Sequence, residues 1–254
     1  MLPHILITAA VNQEIETLLR ITEKLSVVHI GGRKTYQGSI KNQAVRILAT
    51  GPGSVNTVQA ITACIENSKP ILILQTGCAG AFQESGLQKG DIGIATEEID
   101  IHLGLESEKP DAPPLELPFS VLRKGDTEIK NRYPCSESLS DSAFKIIADT
   151  LSKEKINVQK GPFITVATVT ATHNRATNFY RQFSAVMEAM EGAGAAHLSI
   201  HYNIPFLEIR SASNMVGKRK RDEWDIDLAC RNSNKAVLAF IHLFKPEMME
   251  SFGN

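Results

Sequence analysis

Two carboxylates, Glu188 and Glu191, stand beside Met190 in the stretch 185–196, which reads A-V-M-E-A-M-E-G-A-G-A-A. An apolar run leads in, and the small residues of 192–196 follow. A strand that ends in a carboxylate and turns directly into a helix delivers that carboxylate to the carboxyl edge of a sheet, where open α/β folds bind ligands. Glu14 holds a comparable place. Residues 5–8 read as a first strand, 9–12 as its turn, and 13–20 as a helix with Ile15, Leu18 and Leu19 on one face. A carboxylate in that first turn either favours the helix N-terminus or serves as a base at the sheet edge. A polar pair, Ser213-Asn214, follows the last strand. Carboxylates, an amide and a hydroxyl gathered at one edge suit proton abstraction and the holding of a polar small molecule.

Two glycine-rich stretches would shape the same edge. Gly51-Pro52-Gly53-Ser54 opens a helix over 55–66, with Ser54 a plausible N-cap. A glycine loop at a helix start can hold an anion, but this one lacks the GK[ST] ending of a P-loop. Residues 75–81, Q-T-G-C-A-G-A, read as a second glycine loop after the strand 70–74. Gly77 and Gly80 there let a ligand approach the backbone closely.

The remaining elements position these groups. Residues 27–31, 36–40 and 43–50 read as a strand meander with short turns. Further strands are expected at 91–99, 161–170 and 205–211, and helices at 138–153, 172–183, 192–202 and 226–244. The segment 103–133, with Pro110, Pro113, Pro114 and Pro118, reads as a long excursion serving as a lid or an oligomer contact. Strands alternating with helices predict an α/β fold: a single three-layer domain over 1–254, with a mixed, mostly parallel central sheet flanked by helices.

Composition narrows the function classes. The chain has 254 residues, 43% hydrophobic, enough to bury a sizeable core. A net charge of −1 leaves no footprint for nucleic acid. No apolar run reaches the roughly 18 residues of a membrane span, and the first residues lack a basic signal-peptide region, so a cytoplasmic location is expected. Cys64, Cys78, Cys135 and Cys230 fit neither zinc nor CxxC spacing and suit a reducing compartment. The histidines form no HExxH cluster. Neither a metal nor a cofactor is expected.

Four motifs together carry a resemblance that covers nearly the whole chain: A-A-V-N-Q-E-I near the start, Q-T-G-C-A-G-A, A-M-E-G-A, and I-R-S-A-S-N. The sequence resembles the purine nucleoside phosphorylase and nucleosidase superfamily. Phosphorylases there usually carry a phosphate-holding arginine just before the second glycine stretch. This chain has Leu74-Gln75-Thr76 instead, and a bidentate phosphate clamp wants arginine, so the chain looks like a hydrolase. Nucleosidases for methylthioadenosine and S-adenosylhomocysteine end the last strand in Ser-Asp, where this chain has Ser213-Asn214. The run S-N-M-V-G-K-R, followed by Trp224 and Ile226, looks like the S-N-x-V-G-x-R…W-x-I pattern of futalosine hydrolases. The Asp that often follows the Arg in that pattern is Lys220 here.

The resemblance implies hydrolysis of futalosine to hypoxanthine and dehypoxanthine futalosine, in menaquinone biosynthesis. Glu14 would activate water, and Asn214 would stabilise the leaving purine, helped by backbone amides near Val169 and Thr170. Glu191 would accept from the ribose hydroxyls with Met190 packed on the sugar. Ser213, Val169, Thr170, Cys78 and Gly80 would line the base subsite, and Arg219 would pair with the benzoate carboxylate of futalosine. Glu188 falls one residue off the family's second carboxylate and receives no role. The alternatives are a methylthioadenosine/S-adenosylhomocysteine nucleosidase, an inosine phosphorylase, and a non-enzymatic nucleoside-binding protein. The partners implied are a small nucleoside and further copies of the chain, a dimer being favoured; relatives form dimers or larger rings.

Overall fold

Strand β1 (Ile5–Ala9) is buried along its whole length. Its two-residue alternation sends Ile5 and Ile7 into one apolar cluster and Leu6 into another. The computed structural model, which describes residues 3–108 and 114–249, builds the rest of the molecule on that division. Helix α1 (Asn12–Ile21) follows β1 after a short turn. The meander β2 (Glu23–Ile30), β3 (Arg33–Ile40) and β4 (Gln43–Ala49) is antiparallel throughout, and β4 then pairs in parallel with β1. Helix α2 (Ser54–Asn67) is capped by Gly53, at φ 89°, rather than by Ser54, which is already helical.

The stretch expected as a second glycine loop is strand. β5 (Leu72–Ala81) runs through Gln75 to Ala81 because β12 (Phe206–Met215) pairs alongside it from Ile73 to Ala81. Between them in the chain come β6 (Ile92–Asp100), a hairpin of β7 (Leu122–Lys124) and β8 (Thr127–Ile129), then β9 (Arg132–Pro134) and α3 (Glu137–Leu151). Next are β10 (Val158–Thr165), α4 (His173–Phe183), β11 (Met187–Ala189) and α5 (Gly192–Tyr202). Helix α6 (Ile226–Leu243) follows β12. Strand β10 ends at Thr165, five residues before the expected strand end. In the excursion, Pro110 and Pro113 lie outside the described residues. Among the described residues of the excursion are the β7–β8 hairpin and a Leu105–Leu115 bridge.

The large sheet runs β11-β10-β6-β12-β5-β1-β4-β3-β2, and β11 pairs with β5 as well as with β10. That extra pairing joins β5, β12, β6, β10 and β11 into a closed, barrel-like ring. The expected three-layer arrangement is corrected accordingly. The sheet is mixed, as expected, but not mostly parallel: β12, for one, is parallel to β5 and antiparallel to β6. The bending has local causes. Register shifts occur between Ala212 and Asn214 in β12 and between Gly161 and Phe163 in β10, where an irregular residue sharpens the twist.

Helices cover both sides. Ile15 and Leu18 of α1, Ala143 and Ile147 of α3, and Val237 and Phe240 of α6 pack with Ile5 and Ile7. Ala60 and Ile61 of α2 and Ala195 and Leu198 of α5 pack with Leu6. The small residues of α5 allow this closeness: a methyl on Gly194 would lie 3.1 Å from Val58 Cγ2.

Candidate active site

Glu14 is 2% exposed on the third residue of α1. From that third helical position Glu14 reaches back to the N-cap, where its Oε2 accepts from Val11 N–H at 3.0 Å. Its Oε1 accepts from Cys78 N–H at 2.9 Å. Two backbone donors fix the carboxylate, and each oxygen keeps a lone pair for a further partner.

Gly77, one residue earlier, makes room. Its φ is +135°, and a methyl added at its Cα would lie 2.4 Å from Glu14 Oε1, so both the backbone and the space require glycine. Asn234 on α6 reaches across and donates from Nδ2 to the Glu14 backbone carbonyl, at 2.7 Å.

Glu191 sits where β11 gives way to α5, 3% exposed. Its Oε1 accepts from Gly53 N–H at 2.9 Å and its Oε2 from Arg210 Nη2 at 3.0 Å. The anion held by the Gly51–Gly53 turn is thus the protein's own carboxylate. Ser54 Oγ donates to the Met190 carbonyl at 3.2 Å, tying the same turn to the end of β11.

Arg210 is a residue that sequence reasoning passed over. It is 1% exposed on β12, donating from Nε to Glu208 at 2.6 Å and from Nη1 to the Cys78 carbonyl at 3.0 Å, besides its bond to Glu191. Burial opposes its charge, but the carboxylates of Glu208, Glu191 and Glu14 outweigh that and raise its pKa. The available signal was Glu208-Ile209-Arg210. Opposite charges two residues apart share one face of a strand, and a buried strand tolerates them only as a pair.

At the end of β12, Ser213 Oγ lies 2.8 Å from Asn214 Oδ1 and 3.2 Å from the Ala79 carbonyl, with one proton to give between them, while Asn214 Nδ2 donates to the Met215 carbonyl at 3.2 Å. Rotating the amide by half a turn would set its oxygen against that carbonyl. The amide therefore has one orientation, with Nδ2 retaining a second N–H.

These groups line one cavity of about 230 Å³, with Cys78, Gly80, Val169 and Met190 also in its wall. Glu188, given no role from sequence, lines it too. Burial raises the Glu188 pKa, against two bonds from Thr170: its N–H at 3.0 Å and its hydroxyl at 2.5 Å. Thr170 stands behind Glu188 with its amide and hydroxyl both engaged there, and it is not part of the cavity wall. Arg219 lies outside as well. Its guanidinium is 5.8 Å from the Trp224 ring centroid, in a neighbouring depression, and Trp224 forms part of the wall between the two. Among the described residues no group of three or more His, Cys, Asp or Glu is arranged to hold a metal, and no helix is long and apolar enough to cross a membrane.

A buried carboxylate fixed by amides, a second one fixed by arginine, and a one-way amide define a small polar-molecule site at the carboxyl ends of β1, β5 and β12. The family description "Phosphorylase superfamily" matches residues 4–244, and the chain belongs to that superfamily. Among curated proteins, the 5'-methylthioadenosine/S-adenosylhomocysteine nucleosidase of Haemophilus ducreyi is 28% identical, over 94% of this chain and 97% of its own. Among solved structures, the enzyme of the same name from Neisseria meningitidis, in complex with methylthio-immucillin-A, superposes with a TM-score of 0.81 at 22% identity. It covers 96% of this chain and 100% of that one. Futalosine hydrolase of Helicobacter pylori strain 26695 superposes with a TM-score of 0.80 at 19% identity, covering 95% and 98%.

Proposed function

We propose that this protein is a nucleosidase, an N-glycosyl hydrolase that cleaves a purine from its ribose with water. Breaking the ribosyl C–N bond builds positive charge on the sugar and negative charge on the purine. Glu14 takes a proton from water as the water oxygen bonds to the anomeric carbon. The purine leaves with the bonding pair, which Asn214 Nδ2–H stabilises. Glu191 accepts from the ribose hydroxyls, and Met190 packs against the sugar.

Water rather than phosphate is supported by the state of Arg210. It is the arginine in the cavity wall, and its guanidinium is engaged by Glu208, Glu191 and the Cys78 carbonyl. A phosphate dianion entering there would meet Glu14 and Glu191 with no free guanidinium fork to receive it.

The orientation of Asn214 carries the choice of base. An N–H pointing into the cavity meets an acceptor, and a 6-oxopurine offers two on that edge, N7 and O6. That observation favours a 6-oxopurine nucleoside, and the S-N-M-V-G-K-R run with Trp224 and Ile226, which resembles futalosine hydrolases, narrows it to futalosine, with hypoxanthine as the leaving base. On this reading Ser213, Cys78, Gly80 and Val169 border the purine, and Arg219, beyond Trp224, is the cation offered to the substrate carboxylate. A second reading has its own support. The curated relatives are named for methylthioadenosine and S-adenosylhomocysteine, both adenine nucleosides, and they favour an adenine substrate for this chain.

Base release followed by chromatography separates these readings, with futalosine, inosine and methylthioadenosine each assayed with and without phosphate. Hypoxanthine from futalosine, independent of phosphate, is the expected result. Adenine from methylthioadenosine alone overturns the choice of base, and release that requires phosphate overturns the hydrolase.

A further inference from the structure

Behind Arg210 lies a second carboxylate that the mechanism above does not use. Glu98 of β6 and Glu208 of β12 are both fully buried and interact directly. They crowd one point: a methyl on Gly192 would lie 2.3 Å from Glu98 Cδ and 2.4 Å from Glu208 Oε2. This is why α5 begins with a residue that has no side chain. Each acid uses one oxygen on a donor. Thr165 Oγ1 donates to Glu98 Oε2 at 2.8 Å, and Arg210 Nε donates to Glu208 Oε1 at 2.6 Å. The other two oxygens, Glu98 Oε1 and Glu208 Oε2, find no donor.

Two buried carboxylates in contact cannot both ionise without a large repulsive cost. One proton between them supplies the missing donor. We infer that Glu98 and Glu208 share a single proton, carried by Glu98, and that this acid pair positions Arg210 and through it the ribose-holding Glu191. Glu208 then stays anionic against Arg210. The arginine is held from behind with a single nitrogen on Glu191 Oε2, which also accepts from the Met190 amide, so Glu191 Oε1 keeps one lone pair for a sugar hydroxyl. Burial and the Glu208 charge both raise the Glu98 pKa. The Thr165 hydroxyl on β10 and the Arg210 guanidinium on β12 act the other way, favouring the ionised form, and are outweighed; Cys135, ahead of α3, is buried against both carboxylates and its own thiol pKa is raised.

The positioning role rests on the nucleosidase reading, whereas the shared proton does not, and the test keeps them apart. Carbon-13 NMR of carboxyl-labelled glutamate at pH 8 is expected to show a protonated carboxyl that disappears in Glu98→Gln and persists in Glu188→Gln. No protonated carboxyl in the wild type, or one that disappears only in Glu188→Gln, overturns the shared proton. Where a variant folds poorly, the absence of any protonated carboxyl from the wild-type spectrum still overturns the shared proton.

For positioning, an amide N–H in place of the acid proton still donates to Glu208, so Glu98→Gln should keep KM and kcat within about threefold. The double variant Glu98→Gln/Glu208→Gln removes the charge behind Arg210. It should raise KM for the nucleoside by about tenfold or more, with a smaller change in kcat, as expected when a binding contact rather than the transition state is disturbed. Lower stability with unchanged KM in the double variant overturns the positioning role. Absence of turnover on every nucleoside, with the NMR signal intact, removes the nucleosidase reading and leaves the acid pair standing.

Discussion

Gly77 and Glu14 compete for one space: a methyl on Gly77 would come within 2.4 Å of Glu14 Oε1. The neighbouring Cys78 amide holds that same oxygen. Gly77→Ala should therefore displace the carboxylate without touching its chemistry, and it adds strain because φ is +135°. Loss of a general base costs about 10²–10⁴-fold. Gly77→Ala and Glu14→Gln should both lose activity on that scale in base-release assays. Circular dichroism should show both still folded. Wild-type turnover in Glu14→Gln would remove Glu14 from the mechanism.

Asn214→Asp tests the base preference at a single atom. A carboxylate in place of the amide takes away the N–H and adds an acceptor, which suits the 6-amino group of adenine and repels O6. The ratio of kcat/KM for futalosine over methylthioadenosine should fall by one to two orders of magnitude, about 1–3 kcal/mol for one hydrogen-bonding contact. An unchanged ratio would count against Asn214 as the purine-facing donor.

Arg210→Ala should be among the most damaging single changes. It leaves Glu208 and Glu191 buried without their cation, and breaking a buried pair from one side costs about 3–5 kcal/mol. Urea unfolding should show that loss, and Arg210→Lys should recover only part of it because an ammonium cannot span Glu208, Glu191 and the Cys78 carbonyl together. A loss of less than about 1 kcal/mol in Arg210→Ala, far below that range, would mean the carboxylates have another partner.

Much of this site was legible because strand ends and helix starts have local signatures. The strand at 5–8 leading to Glu14, and the apolar run turning through Glu191 into small residues, placed both carboxylates at the sheet edge, where they lie. The helices on both faces followed from 3.6-residue periodicity. What escaped was non-local. Glycines at 77 and 80 look like a loop until β12 is known to pair beside them. The ring closed by β11 on β5 rests on two residue pairs far apart in sequence, Met187 with Ala81 and Glu188 with Gly80. Arg210 lay inside the I-R-S-A-S-N motif, yet its meaning depends on carboxylates from three separate segments. Thr170 was placed near the base by the family resemblance, and its amide and hydroxyl are engaged by Glu188.

Arg219 has a selective test. It projects beside Trp224, outside the cavity. If it pairs with the substrate carboxylate, Arg219→Ala should raise KM for futalosine about tenfold and leave inosine, which has no carboxylate, unchanged. Equal KM values for futalosine in variant and wild type would remove the pairing.

The acid pair has a thermodynamic signature separate from its kinetic one. Glu98 is protonated in the folded protein at pH values where the unfolded chain carries it ionised, since its pKa is raised well above the ordinary carboxylate range. Folding then takes up a proton, so this group's contribution to stability falls as pH rises from the unfolded pKa towards the folded one. The amide in Glu98→Gln takes up none. Measured by urea unfolding at pH 5, 6, 7 and 8, Glu98→Gln should gain on wild type as pH rises, by at most about 1.4 kcal/mol per pH unit, one proton's worth, until the folded pKa is passed. Glu188, whose pKa is also raised, slopes the same way in both proteins and cancels in the difference. Parallel stability curves for variant and wild type would mean that Glu98 enters the fold ionised, and that the unpartnered oxygens of the pair are satisfied in another way.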